Sequence, residues 1–150
     1  MGSNTTGDQN TAVGYAALGA NTTGSSNVAM GTNALDAVTT SNNNTAVGHA
    51  SLGANTASNN TALGNSALSA NTTGTPNAAV GYYALGANTT GSYNTAMGAY
   101  SLDANTTATA NSAFGYGSLS ACTTGGNNTA MGYHAAVNIT TGTDNVALGH

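Results

Sequence analysis

The sequence predicts an all-β fold: a parallel β-solenoid (β-roll) of nine ~17-residue coils, forming one domain over residues 1–150. The first observation is a repeat. The Asn that opens each Asn-Thr-Ala-Val-Gly-like block recurs at Asn10, Asn27, Asn44, Asn60, Asn77, Asn94, Asn111, Asn128 and Asn145. The steps are 17 residues long, except for 16 between Asn44 and Asn60. The second is how strictly the columns hold when that Asn is numbered position 0. Position 2 is always Ala, position 4 always Gly, position 12 always Thr, and position 3 always large and apolar. Position 8 is Leu in every full copy but the one with Ala136. The third is composition: there is no Lys, Arg or Glu, 3% of residues are charged where about a quarter is usual, and one residue is proline. Disorder goes with high net charge or many prolines, and strict columns go with stacked coils.

Each 17-mer is too short for a helical repeat unit, which takes about 33 residues or more, and its Gly and Asn-Thr-Thr-Gly elements are poor helix formers. Two short strands per coil fit instead. One covers positions 0 to 3 and the other about positions 7 to 12, with Gly and Asn-Thr-Thr-Gly at the corners.

Side chains alternate faces along a strand. The orientation expected here puts position 3 inside together with the Leu column. The predicted core is then Val13, Leu18, Met30, Leu35, Val47, Leu52, Leu63, Leu68, Val80, Leu85, Met97, Leu102, Phe114, Leu119, Met131 and Leu148. Position 2 would point outward. A column that never exceeds a methyl group implies close packing between chains along Ala12, Ala29, Ala46, Ala62, Ala79, Ala96, Ala113, Ala130 and Ala147. In the opposite orientation Ala faces a thin interior and position 3 forms an exposed apolar stripe. Such a stripe itself calls for a partner. Either way a homo-oligomer, a trimer or a head-to-tail filament, is expected. At ~4.8 Å per coil the rod is about 43 Å long.

The chemistry of most function classes is missing from the sequence. Without a basic residue the chain cannot neutralise phosphates, which excludes nucleic acid and anionic membrane surfaces as partners. No apolar run approaches the roughly 18 residues of a membrane span, and no basic, apolar-cored leader opens the chain. The acids are Asp8, Asp36, Asp103 and Asp144. Asp36 and Asp103 share position 9 but lie about 19 Å apart, so no carboxylate pair forms. Cys122 stands at position 11 without a supporting His–acid arrangement. No catalytic residue, metal ligand or cofactor is assigned, and the chain is read as a non-enzyme. Asn-Thr-Thr sequons at Asn4, Asn21, Asn71, Asn88 and Asn105 are read as by-products of the corner motif. The candidate ligand ribbon is the aromatic set at positions 5 and 6: Tyr15, His49, Tyr82, Tyr83, Tyr100, Tyr116, Tyr133 and His134. Aromatic rows stack on sugars, but a self-stacked corner ladder has the same signature.

The blocks Asn27-Val-Ala-Met-Gly, Asn111-Ser-Ala-Phe-Gly and Asn145-Val-Ala-Leu-Gly resemble the head repeats of YadA-like trimeric autotransporter adhesins. The Asn-Thr-Ala-Val-Gly-Tyr form with Asn-Thr-Thr-Gly corners is similar to repeats of phage tail fibres. The resemblance spans the whole chain. It implies a left-handed β-roll, three parallel chains and adhesion to a host-surface glycan or protein, from a cell surface or a virion fibre. The repeat here is longer than the adhesins' own, and the chain shows no neck, stalk or anchor pattern. An alternative role is ice binding by Thr columns, although Thr at positions 12 and 13 are adjacent and so face opposite ways.

Overall fold

A computed structural model describes residues 2–150 of the chain. It forms one sheet of nine parallel strands in sequence order. These are β1 (Thr11–Val13), β2 (Val28–Met30), β3 (Thr45–Val47), β4 (Thr61–Leu63), β5 (Ala78–Val80), β6 (Thr95–Met97), β7 (Ser112–Phe114), β8 (Thr129–Met131) and β9 (Val146–Leu148). Each position pairs with its equivalent one coil on, as in Ala12 with Ala29 and Ala29 with Ala46. The chain is a parallel β-solenoid.

The shorter coil does not disturb the register, since Thr45 still pairs with Thr61. Its missing residue is absorbed in the corner. There Asn55 Nδ2 donates to Ala57 O two residues on, where Asn71 reaches Gly74 O three residues on.

The second predicted strand is not formed. Positions 6 and 8 hold left-handed backbone, for example Ala16 at φ 54° with Leu18 at 53°, and Ala50 at 52° with Leu52 at 50°. Successive kinks turn the segment into tight turns, with Gly53 N–H donating to Ala50 O at 3.2 Å and Asn55 N–H to Leu52 O at 3.1 Å. Coil-to-coil bonds persist there, such as Leu18 N–H to Ala34 O at 2.9 Å. A left-handed non-glycine residue costs about 1–3 kcal/mol. The kink at position 8 also swings Leu inward, and burying that side chain returns about 1.5–3 kcal/mol. Leu18, Leu35, Leu52, Leu68, Leu85, Leu102 and Leu119 are all fully buried.

The expected orientation of the first strand is reversed. Ala29, Ala46, Ala62, Ala79, Ala96, Ala113 and Ala130 are completely buried, with Ala12 and Ala147 packed against the same core at the two ends. These alanines therefore do not form a contact between chains. Val13, Met30, Val47, Leu63, Val80, Met97, Phe114, Met131 and Leu148 point outward instead of filling the core, Val13 at 55% exposure and Met131 at 51%. The physical reason is width. The Leu column enters from the opposite wall, and the Ala and Leu columns belong to one core cluster. Close packing leaves room for only a methyl group facing it.

Position 4 is Gly for a separate reason. Gly81 sits at φ 135°, and a Cβ there would lie 2.6 Å from the Gly98 carbonyl carbon. Both the dihedral and the coil spacing exclude a side chain.

Candidate functional site

Three surfaces can do chemistry or recognition. The first is the outer face of the sheet, where positions 1 and 3 point. Position 3 makes a continuous apolar stripe, flanked by position 1 with Thr11, Thr45, Thr61, Thr95 and Thr129 among its occupants. Val28 and Val146 also stand at position 1, and Val146 is 74% exposed. Each coil adds the same element at the strand spacing, so the stripe runs the length of the solenoid.

The second is the aromatic edge, which gathers six of the eight predicted ribbon residues. Tyr82 meets Tyr83 at a centroid distance of 6.3 Å and Tyr100 edge-on at 5.2 Å. Tyr100 meets Tyr116 edge-on at 5.9 Å. Tyr116 stacks on Tyr133 at 5.5 Å, and Tyr133 on His150 at 5.6 Å. His134 sits edge-on to Tyr133 at 4.4 Å. Tyr15 and His49 join none of these pairs; the residue between them in their column is Thr32. The rings of Tyr116, Tyr133 and His150 turn their faces to one another, so those faces are not free to stack on a ligand. Such pairs contribute about 0.5–1.5 kcal/mol each to the rod. Although Tyr100 is exposed, desolvation by the rings packed around it, and then the charge of neighbouring Tyr82, raises its phenol above the ordinary pKa.

The third is a groove beside Pro76 and Tyr93, which share position 16, a column too variable for recurrence to single them out. A second concavity lies between His134, Val137 and His150. Among the described residues no group of three or more His, Cys, Asp or Glu is placed to hold a metal ion.

The other sequence candidates lie in the wall or the interior. Asn21, Asn71, Asn88 and Asn105, four of the five sequon asparagines, are completely buried, so attaching a glycan there would require opening the coil. Cys122 is buried, its Sγ–H donates to Gly125 O at 3.2 Å, and burial raises its pKa. A protonated, enclosed thiol is a poor nucleophile. The position-12 hydroxyls bond to the next coil, as in Thr22 Oγ1 to Thr39 O at 3.0 Å and Thr89 Oγ1 to Thr106 O at 3.0 Å.

No protein-family model, curated protein or solved structure matches the chain.

Proposed function

We propose that this chain is a structural fibre module, not an enzyme, that associates with copies of itself through the position-3 stripe and serves in attachment outside a cell or on a virion. The observation that carries this reading is the outward row of Val13, Met30, Leu63, Val80, Met97, Met131 and Leu148 on a solenoid with almost no charge. A long apolar patch on a soluble protein marks an interaction surface. The partner that suits it best is a second copy. The row repeats at the strand spacing in every coil and carries no charge to select a different partner. Three parallel chains or a filament both satisfy it, and the resemblance to adhesin heads favours three. The ice-binding alternative loses the position-12 hydroxyls, which bond within the wall, and keeps only position 13 and the interrupted threonines of position 1.

Analytical ultracentrifugation of the chain tests the reading. The expected species is an oligomer that dissociates when Leu63→Thr, Val80→Thr and Met97→Thr are combined, with the far-ultraviolet spectrum unchanged because these side chains lie outside the core. A wild-type chain that sediments as a compact monomer would sink the proposal.

A further inference from the structure

In a molecule this regular, the irregular positions are informative, and several of them meet at one place. Pro76 is the chain's one proline. Tyr93 is the one aromatic residue at position 16, and Ala78 the one alanine at position 1. All three line a groove of about 320 Å³, together with Asn59 from the end of the short coil. That volume is at the small end of the roughly 300–1,000 Å³ of small-molecule sites. Ala78 forms a recess in the floor between Thr61 and Thr95, where a third threonine would otherwise stand.

Tyr93 differs from the aromatic edge in the way that matters for binding. It is 69% exposed, and among the described residues no aromatic ring pairs with it. It is held at φ 61°, in a column whose other left-handed occupants are small or polar. A bulky side chain is costly in that conformation. Its N–H donates to Pro76 O at 2.7 Å, which fixes the backbone of the two residues relative to each other. Below, the Thr61 and Thr95 hydroxyls make no side-chain hydrogen bond among the described residues, unlike the position-12 threonines. No acid or base lines the groove, and the chain has no Lys or Arg to attract an anion.

We propose that this groove binds one neutral sugar ring, with Tyr93 lying against the ring's apolar face and the Thr61 and Thr95 hydroxyls bonding its polar edge. The site is at one margin of the sheet face, two residues or about 7 Å from the position-3 stripe. It does not depend on the stripe's being paired, so its failure would leave self-association untouched.

The test is an NMR titration of the whole chain with methyl glucoside, methyl galactoside, methyl mannoside and N-acetylglucosamine, with a methyl sialoside as the anionic probe. At least one neutral sugar should shift the Tyr93 ring signals saturably, in the millimolar range, while Tyr15 stays unmoved. Tyr93→Asn, which installs the residue found at Asn43, Asn59 and Asn127, should weaken that binding by about tenfold or more without lowering the melting temperature. Thr95→Val, similar in shape, should weaken it severalfold. The proposal is overturned by no saturable shift with any neutral sugar, by equal shifts at Tyr15, by preference for the sialoside, or by undiminished binding to Tyr93→Asn.

Discussion

Two columns of asparagine line the same corner of the solenoid, and they are kept with different strictness. Position 0 is Asn in all nine coils, whereas position 11 gives way to Val38, Cys122 and Ile139. Both amides converge on the position-14 carbonyl: Gly74 O accepts from Asn60 Nδ2 at 2.9 Å and from Asn71 Nδ2 at 3.0 Å. Their oxygens differ. At position 0 the oxygen accepts a backbone N–H of the next coil, as Asn77 Oδ1 does from Asn94 N at 2.9 Å. At position 11 it accepts only another side chain, as Asn71 Oδ1 does from Asn88 Nδ2 at 2.8 Å. A column that satisfies backbone cannot be interrupted without leaving a buried N–H unpaired, whereas one that satisfies itself can be interrupted at the cost of one side-chain acceptor. That cost is visible. Asn21 Oδ1 and Asn105 Oδ1 are buried without a partner, each one coil before a break, at Val38 and Cys122.

The largest expected effect follows from removing a position-0 side chain. Asn77→Ala strips Asn94 N–H of its acceptor and should cost about 2–4 kcal/mol by chemical denaturation. Asn88→Val at position 11 should cost less, about 1–2 kcal/mol, because Gly91 O keeps its bond from Asn77 Nδ2 at 2.9 Å. Equal costs would show that the two columns are energetically alike and that their different strictness has another origin.

The same contrast separates what was legible in the sequence from what was not. The solenoid could be read because every column is a residue stacked on its own copy, and stacking leaves a period. The Leu column could be placed inside because one large apolar residue type holds position 8 in seven coils. The orientation of position 3 could not be read. A three-residue strand with Ala at its centre satisfies alternation either way round, and the choice depends on how far Leu reaches from the opposite wall. The turns at positions 6 to 8 are illegible for a related reason. Left-handed backbone at Leu and Ala leaves no compositional mark, since Gly, the usual marker, is absent from most of those positions. Spacing brings the aromatic residues of positions 5 and 6 to one edge, but the orientation of their rings is not encoded in it. Tyr93 cannot be singled out by recurrence, because position 16 varies from coil to coil.

Repairing the broken column gives a smaller effect, and the two sites should respond differently. Val38→Asn inserts an amide between Asn21 below and Asn55 above, so it gives Asn21 Oδ1 a donor and gains one from Asn55. A gain of about 1 kcal/mol is expected. Cys122→Asn satisfies Asn105 Oδ1 but places its own oxygen beneath Ile139, which has nothing to donate. The orphan acceptor moves up one coil, and the denaturation midpoint should scarcely change. Adding Ile139→Asn to Cys122→Asn should then recover most of the gain seen at Val38. If Cys122→Asn alone stabilises as much as Val38→Asn, the unpaired oxygens are not what the breaks cost.

The smallest effect concerns Asp103 Oδ1, the third buried side-chain atom without a partner. Burial raises the carboxyl's pKa, only partly opposed by the N–H groups of Asp103 and Ala104. The folded chain therefore holds this proton more tightly than the unfolded chain does. Stability from this group is fully present below the unfolded value of about 3.9 and is lost as pH rises through the raised folded value. This is the reverse of a carboxylate held by a cation, and the chain offers no Lys or Arg to reverse it. Asp103→Asn keeps the shape and removes the charge, so it should raise the melting temperature slightly at neutral pH and leave it unchanged below about pH 3.9. A variant that loses stability at neutral pH would mean that the carboxylate, and not the carboxylic acid, is the form this corner of the solenoid accommodates.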